Sequence, residues 1–324
     1  MFRSRDLYQL FLCFVVVLVC FFSGCLASQN MEQTGADASD QPTVPETLVE
    51  RVIEVQQRPK VKRALIIGID GVRPDALLKA KTPNLDRLRE RGHWTLNATT
   101  QLTADTKSGP GWASVLTGVE ATKHNIVSNS NFGQRELSYP TFLYRLKKSK
   151  KLKVAVMSGW LLLLGLIESD AMDLSLSGKD SKMATEMAQR LKERSHDLHM
   201  IHFDNVDHAG HSKGFSPDVP DYIQAIEETD VHVGTLLSAI ENSANREQEE
   251  WLIVVTTDHG GEGKDHGPRN DLNRRIFFIV AKDQMGSQQL PTGVSHMDVH
   301  PTVLSFWGLS IEPGWKLDGK SRGF

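Results

Sequence analysis

From residue 62 onward, short apolar runs alternate with amphipathic stretches along the chain. The apolar runs predict five buried strands, at residues 64–69, 153–157, 198–203, 252–256 and 275–281. The amphipathic stretches predict helices at residues 82–91, 184–193 and 221–242. Strands that alternate with helices are typical of an α/β fold. The sequence therefore predicts one domain with a mostly parallel central sheet and helices on both of its faces.

Acidic residues follow three of these predicted strands directly or within a few positions. Asp70 comes directly after the first strand, Asp204 and Asp207 follow the third, and Asp258 follows the fourth. In open parallel sheets, ligands bind outside the carboxyl ends of the strands, because separate strands deliver their side chains to one edge. We therefore expect these carboxylates to meet in one functional site.

Histidines accompany the carboxylates at short spacings. His211 lies four residues after Asp207, His259 directly follows Asp258, and His266 lies seven residues further on. Mixed carboxylate and imidazole ligands suit zinc better than calcium or magnesium, which prefer oxygen ligands alone. Together with Asp70, Asp207 and Asp258, these three histidines make six candidate metal ligands. A single tetrahedral ion needs fewer ligands than that. The sequence therefore predicts two divalent metal ions, with zinc favoured.

The first 25 residues have the pattern of a secretory signal. Arg3 and Arg5 give a basic start, residues 10–22 are almost wholly apolar, and Ser23-Gly24-Cys25 follows. The apolar run is shorter than the roughly 20 residues that span a bilayer. The segment that ends at Cys25 resembles a bacterial lipobox, so we expect lipid attachment at Cys25 and a periplasmic or cell-surface location. A plain signal peptide or an uncleaved anchor is the alternative.

Composition separates this leader from the rest of the chain. Residues 26–61 are rich in polar residues and proline, which predicts a flexible tether before a domain at 62–324. All three cysteines, Cys13, Cys20 and Cys25, lie in the leader, so the body has no thiol for a disulfide or for metal binding. The net charge of −3 argues against a nucleic acid partner, but a small phosphorylated substrate remains compatible with it.

Several segments, taken in order, resemble motifs of the alkaline phosphatase superfamily, particularly of its compact type I phosphodiesterase and nucleotide pyrophosphatase-like members. They are Gly68-Ile69-Asp70-Gly71, Thr82-Pro83-Asn84-Leu85-Asp86-Arg87-Leu88, the pair Asp207 and His211, Thr257-Asp258-His259-Gly260, and Val299-His300-Pro301-Thr302-Val303-Leu304. The match covers nearly all of residues 62–310. It implies an alkaline phosphatase-like α/β fold in a single domain.

The resemblance also assigns roles to the candidate metal ligands. It implies one metal ion on Asp70, Asp258 and His259, and a second ion on three further residues. These are Asp207, His211 and His266. The last of them competes with His296 as a ligand, because the spacing alone leaves both histidines open.

Residues 105–114 correspond to the nucleophile loop of the superfamily. The resemblance implies that Ser108 is both a metal ligand and the nucleophile that forms a phosphoserine intermediate, with Thr103, Thr106 and Ser114 as rival hydroxyls. A serine at the N-terminus of a helix would also benefit from the positive end of the helix dipole. Asn129 would donate a hydrogen bond to a phosphate oxygen, with the nearby residue 131 as its rival.

The resemblance implies a hydrolase that acts on phosphate esters. A phosphodiesterase or nucleotide pyrophosphatase is favoured, because no arginine or lysine clamp for a dianionic monoester is evident in the sequence. A phosphomonoesterase or a phosphotransferase on the same site is the main alternative. A sulfatase is disfavoured, because Trp112 stands where the sulfatase motif has arginine and because histidines fit a calcium site badly. A non-catalytic surface lipoprotein is the alternative from another class.

Overall fold

The central sheet has eight strands in the computed structural model, which describes residues 59–132 and 138–323. The predicted leader, the tether up to residue 58 and Cys25 lie outside the described residues. The strands are β1 Val61–Ile69, β2 Gly92–Thr99, β3 Val154–Ser158, β4 Leu174–Ser177, β5 Leu198–Phe203, β6 Glu249–Thr256, β7 Arg275–Lys282 and β8 Gln288–Gln289. Their order across the sheet is β4-β3-β5-β1-β6-β7-β2-β8.

All described strands except β7 run in the same direction. Strand β7 is antiparallel to both of its neighbours, β6 and β2. At the centre, β1 pairs with β5 and β6 so that Ile69 lies opposite Phe203 and Gly68 lies opposite Thr256. The carboxyl ends of these three strands are therefore level with one another.

Helices cover both faces of the sheet. They are α1 Pro74–Lys79, α2 Pro83–Glu90, α3 Ser108–Thr117, α4 Ala121–His124, α5 Phe142–Lys150, α6 Leu161–Leu164, α7 Asp180–Glu193, α8 Asn205–Lys213, α9 Pro220–Glu241, α10 Asp271–Arg274 and α11 Val299–Phe306. On one face, Leu65 and Ile67 of β1 pack in a core with α1, α2, α7 and α9. On the other face, Ala64 and Ile66 pack in a core with α3, α5 and α11. Because both faces of the sheet are covered, the central strands are apolar on both sides, and the architecture confirms the predicted fold class.

The five predicted strands are β1, β3, β5, β6 and β7, and the three predicted helices are α2, α7 and α9. Strands β2, β4 and β8 were not predicted. Strand β2 carries polar and half-buried residues and has a register irregularity between Thr95 and Ala98. Strand β4 alternates leucine with serine and is partly exposed at the sheet edge. Neither strand has a continuous apolar run that a sequence pattern reveals.

No helix in the described part of the chain is long and apolar enough to cross a membrane.

Candidate active site

The carboxyl ends of the central strands bring the predicted aspartates to one edge of the sheet. Asp70 follows β1, and its amide donates to the carbonyl of Phe203 at the end of β5. Gly71 then turns with a φ of 68°, and a β-carbon at this position would lie 2.6 Å from Oδ1 of Asp207. Only glycine allows this close approach without strain. The turn therefore brings the chain segments after β1 and β5 into contact.

Asp70, Asp258 and His259 form the first cluster of candidate ligands. Nε2 of His259 lies 3.5 Å from Oδ1 of Asp70 and 3.3 Å from Oδ2 of Asp258. The other ring nitrogen, Nδ1, lies 2.8 Å from the carbonyl oxygen of Gly260. Because a carbonyl oxygen only accepts hydrogen bonds, Nδ1 carries the proton in the neutral ring, and Nε2 turns a lone pair toward the carboxylates. Burial lowers the pKa of His259 and favours this neutral form.

Asp207, His211 and His266 form the second cluster. Nε2 of His211 lies 3.3 Å from Asp207 Oδ2, and Nε2 of His266 lies 3.7 Å from Asp207 Oδ1. Each imidazole uses Nδ1 to donate to a main-chain carbonyl, of Lys264 and Thr106 respectively. The two Nε2 atoms are only 3.1 Å apart. Two lone pairs at this distance repel each other unless a proton or a cation lies between them.

Unpaired oxygens show that a cation fits this edge. Asp207 Oδ1 and Asp258 Oδ2 are buried and have no hydrogen-bond partner in the described structure. An isolated buried carboxylate oxygen is costly, so each such oxygen requires a specific reason. Burial and the negative charge of Asp70 raise the pKa of both carboxyl groups. The donor set, two aspartate oxygens and three imidazole lone pairs besides Asp70, matches the ligands that zinc accepts.

The first cluster is joined to the second, because the rings of His259 and His266 stack with their centres 3.8 Å apart. Asp70 differs electrostatically from its neighbours. Burial opposes its ionisation, but the hydrogen bond from His202, the electrostatic influence of the neighbouring imidazoles and the hydrogen bond from Trp112 outweigh burial and lower the pKa of Asp70. Asp70 is therefore the anionic centre around which the other ligands are arranged.

Ser108 is the first residue of α3, and its hydroxyl lies beside the first cluster. Its Oγ is 3.5 Å from Oδ1 of Asp70 and 3.3 Å from Nε2 of His259. Gly111, one turn further along α3, packs so tightly on Asp258 that a β-carbon there would lie 2.8 Å from Cβ of that residue. The glycines after Ser108 therefore allow the helix to approach the ligands.

The rival hydroxyls are engaged elsewhere. Thr106 donates to the carbonyl of residue 268 and accepts from the amide of residue 267, which ties two loops together. Ser114 faces His124 at 2.9 Å, and Thr103 donates to Glu120 at 2.9 Å. Among these four hydroxyls, only that of Ser108 is within hydrogen-bond distance of a ligand in the first cluster.

Asn129 is held against the N-terminus of α3, because its Oδ1 accepts from the amide of Gly109 at 2.8 Å. Asn131 instead shapes its own loop. Its Oδ1 accepts from the amides of Val127 and Ser128, and its Nδ2 donates to the carbonyl of residue 125. Of the two asparagines, Asn129 is therefore the one that contacts the helix of Ser108.

His296 belongs to neither cluster of candidate ligands, although it lies beside the main chain of Asp258. It is wholly buried, and its Nε2 accepts from the amide of Gln101 at 2.9 Å, which occupies the lone pair that a metal would need. The described structure groups His266, and not His296, with the aspartates.

Two contributors to the site carry no local sequence signal. The indole of Trp112 donates to Oδ2 of Asp70 at 2.9 Å. Asp180, at the start of α7, accepts from the amides of Asp204 and Asn205 and so caps α8, the helix that carries Asp207 and His211. Both roles depend on contacts between distant segments, so spacing alone does not reveal them.

Comparison with known proteins places the chain in a family. Residues 64–163 match the model for type I phosphodiesterase / nucleotide pyrophosphatase, and residues 164–311 match the metalloenzyme superfamily. The two matches adjoin and together extend over nearly all of the described domain. The chain belongs to the alkaline phosphatase superfamily.

One curated relative shares part of the sequence. The chain is 26% identical over 145 residues to GPI ethanolamine phosphate transferase 3 of Schizosaccharomyces pombe (strain 972 / ATCC 24843), a match that covers 43% of this chain. It spans only 15% of the length of that relative.

Solved structures share the fold at low identity. Murine ectonucleotide pyrophosphatase / phosphodiesterase 5, in an inactive form bound to AMP, aligns with a TM-score of 0.62 and 14% identity over 78% of this chain and 96% of its own. The phosphonate monoester hydrolase of Agrobacterium radiobacter aligns with a TM-score of 0.63 and 13% identity over 82% of this chain and 76% of its own.

These findings confirm the predicted superfamily and the prediction of an enzyme of phosphate ester chemistry. The superfamily includes hydrolases and transferases of phosphoesters, and the chain belongs to this broad class. The metalloenzyme match and the grouped ligands support binding of divalent metal.

Proposed function

We propose that the protein is a metal-dependent phosphodiesterase that acts through a phosphoserine intermediate on Ser108. The observation that carries this proposal is the position of the Ser108 hydroxyl within 3.5 Å of Asp70 and 3.3 Å of His259. A serine hydroxyl is a poor nucleophile at its ordinary pKa, so it needs an activating group within reach. A cation on the first cluster would be that group.

Two zinc ions are the proposed cofactors. The first cluster would hold one ion with Ser108, and the second cluster would hold the other. Both clusters combine carboxylates with imidazoles whose free Nε2 atoms point inward, and this combination favours zinc over calcium and magnesium. When bound, the ions supply Lewis acidity, which lowers the pKa of a neighbouring hydroxyl and offsets negative charge on the phosphate.

The proposed reaction has two steps, and Ser108 is the nucleophile of the first. In the first step, Ser108 Oγ forms a bond to phosphorus, the ester bond breaks, and the leaving alcohol departs with the proton that Ser108 loses. In the second step, the oxygen of a water molecule forms a bond to phosphorus and the bond between phosphorus and Ser108 Oγ breaks. The serine takes up a proton from that water, and the phosphate monoester leaves. The N-terminus of α3 faces the reacting phosphate and favours its oxygens. The amide nitrogen of Asn129, held beside Gly109, is the proposed donor to a non-bridging oxygen.

A diester substrate is favoured because, among the described residues, no arginine or lysine pairs with the aspartates of the two clusters. Within the described residues, the ion pairs of Asp70, Asp207 and Asp258 are all with histidine. The nearby guanidinium of Arg73 is already bound to Asp75 and to the carbonyls of residues 215 and 261. A phosphate diester has one negative charge fewer than a monoester and needs less compensation.

An apolar wall beside the nucleophile supports the same preference. Phe132 packs against Gly109, where a β-carbon would lie 2.8 Å from the phenyl ring. Its ring meets that of Trp160 edge to face, with the centres 5.6 Å apart. This wall provides a surface for the second ester group of a diester.

Phosphotransfer is the second candidate function. The intermediate would be the same, and an alcohol would replace water in the second step. The similarity to a GPI ethanolamine phosphate transferase over 43% of the chain favours this alternative. A product analysis with added alcohols distinguishes transfer from hydrolysis.

The decisive experiment compares the wild-type protein with Ser108→Ala on a nitrophenyl phosphodiester. We expect chelation to abolish hydrolysis and zinc to restore it. Loss of the nucleophile should reduce kcat by at least about a thousandfold while the zinc content stays the same. Thr103→Ala, which removes an exposed hydroxyl bound to Glu120, is the matched control and should retain activity. An active Ser108→Ala protein would exclude the covalent mechanism, and rates on a diester, a monoester and a sulfate ester decide the substrate class.

We also propose that the protein is exported and anchored by a lipid on Cys25, on the basis of the leader sequence. Cys25→Ser should move the protein from the membrane fraction to the soluble fraction and abolish labelling with a radioactive fatty acid. If the variant stayed in the membrane fraction and the wild-type protein took up no labelled fatty acid, the lipid anchor would be contradicted.

A further inference from the structure

The two oxygens of Asp70 have different partners. Oδ1 faces Ser108 Oγ and His259 Nε2, each at 3.5 Å. Oδ2 faces away from them and accepts from Trp112 Nε1 at 2.9 Å and from His202 Nε2 at 3.0 Å. A carboxylate oxygen has two lone pairs, so two donors satisfy Oδ2 completely. Only Oδ1 is left for a further ligand.

Trp112 is placed by the same helix as the nucleophile. Ser108 and Trp112 are four residues apart on α3, so they project from one face of the helix. The indole fills the space above Gly68, where a β-carbon would lie 2.3 Å from the ring. Gly68 in β1 is therefore required for the indole to reach Asp70 two residues later. One helix face thus contacts both oxygens of one carboxylate.

His202 is fixed from both sides of its ring. Because the carboxylate only accepts, Nε2 carries the proton that it donates to Asp70. Nδ1 lies 3.2 Å from the hydroxyl of Ser158, which also bonds to the main chain of Trp160. The imidazole meets the indole of Trp112 edge to face at 4.8 Å, and both side chains are completely buried. This packing leaves the ring no alternative orientation.

We propose that Trp112 and His202 are positioning residues that saturate Oδ2 of Asp70 and so restrict this carboxylate to a single metal-binding oxygen, the one beside Ser108. This role depends on the proposed function, because it requires a cation at the first cluster. Partners that hold a metal ligand in this way fix its orientation and typically change metal affinity by 10- to 100-fold. Neither residue contacts the reacting atoms in this assignment.

The test measures metal binding and coordination as well as activity. Cobalt replaces zinc, because its visible absorption is strong in four-coordinate sites and weak at higher coordination numbers. Trp112→Phe keeps the ring and removes the donor, and His202→Leu removes the other donor. We expect each variant to bind cobalt about tenfold more weakly and to absorb less, because the released Oδ2 joins the coordination. We expect kcat to fall by a similar factor with little change in KM.

A conservative variant and a matched control exclude a merely structural role. His202→Gln retains an N–H donor and should recover much of the cobalt affinity and absorption that His202→Leu loses. Trp251→Phe removes an equivalent indole donor, the 3.0 Å bond to Glu249 at the opposite edge of the sheet. It should lower stability while leaving the cobalt spectrum unchanged.

The possible failures are separable. If folded Trp112→Phe and His202→Leu proteins bind cobalt with the affinity and spectrum of the wild type, the positioning role is wrong while the proposed function stands. If the wild-type protein binds no divalent metal, both are wrong. If His202→Gln is as impaired as His202→Leu, the donated hydrogen bond is not the reason for the effect.

Discussion

The two ends of the central sheet bury carboxylates in opposite ways. At the amino end, Glu249 begins β6 and is fully buried, and its oxygens accept from Arg63, Arg194 and Trp251. At the carboxyl end, the ion pairs of the buried aspartates in the two clusters are all with histidines among the described residues. Two of their oxygens, on Asp207 and Asp258, have no hydrogen-bond partner in the described structure.

This difference indicates where the fold is complete without a ligand. A buried carboxylate is tolerable when cationic and hydrogen-bonding groups surround it, as at Glu249. Without such groups its desolvation remains uncompensated, and neighbouring negative charges add repulsion. The amino end therefore stabilises the fold by itself, whereas the carboxyl end is arranged for a cation that the protein side chains do not supply.

The largest expected effect comes from Asp258→Asn, which removes the negative charge of one buried carboxylate at the carboxyl end of the sheet. Metal binding at the first cluster should be lost, and kcat should fall by at least about a thousandfold. In EDTA, however, the variant should be more stable than the wild type, because burial and the charges of Asp70 and Asp207 already raise the pKa of Asp258. We expect a rise in Tm of about 2–4 °C, which calorimetry would measure. A lower Tm in EDTA would show that this carboxylate stabilises the empty site.

The corresponding change at the amino end, Glu249→Gln, should lower the stability of the protein and leave its activity nearly unchanged. It leaves the half-buried Arg194 without a carboxylate partner among the described residues, and Arg63 with only Asp197 at 3.7 Å, which costs about 3 kcal/mol of unfolding free energy. Activity per folded molecule should remain within about twofold of the wild type. Urea unfolding measures the loss. Glu250→Gln is the control, because among the described residues this half-buried neighbour forms one ion pair, with Lys282 at 3.7 Å. A larger loss of activity than of stability would contradict the separation of the two ends.

The sequence predicts much of the fold and of the candidate site, but not all of either. Buried runs such as that of β5 identify central strands, and the aspartates that follow them were correctly expected to meet at one edge. The unpredicted strand β4 is half-exposed, so its apolar pattern is too weak to stand out. The choice between His266 and His296 was open, because the choice depends on which loop turns toward the carboxylates.

The sequence pattern does not predict the roles of residues that act through contacts between distant segments. Trp112 reads as an ordinary apolar residue of a helix, yet its indole nitrogen contacts Asp70 across the space above Gly68. Asp180 reads as the acidic start of a helix, yet it caps the neighbouring α8. Periodicity shows which face of an element is buried, but it does not identify the polar atom that this face meets.

The last expected effects concern the titration of two histidines, one at each end. At the amino end, burial lowers the pKa of His199 to about 3, with a contribution from the charges of His196 and Arg63. At the carboxyl end, the hydrogen bond to Asp207 raises the pKa of His211 to about 9 in the metal-free protein. NMR titration in EDTA should show both values. Zinc should remove the proton from His211 and leave His199 unchanged, because a metal ligand must be deprotonated.

The two shifts affect stability over different pH ranges. His199 has a lower pKa folded than unfolded, so the unfolded state binds more protons between about pH 6.5 and pH 3. Stability should therefore fall on acidification by about 1.4 kcal/mol per pH unit from this histidine, and His199→Gln should reduce that slope in urea unfolding. His211 has a higher pKa folded than unfolded, so its stabilising contribution is complete below about pH 6.5 and is lost as the pH rises through 9. If His199→Gln left the acid slope unchanged, His199 would have to be protonated in the folded state, and the amino end would not be the self-sufficient half of the sheet.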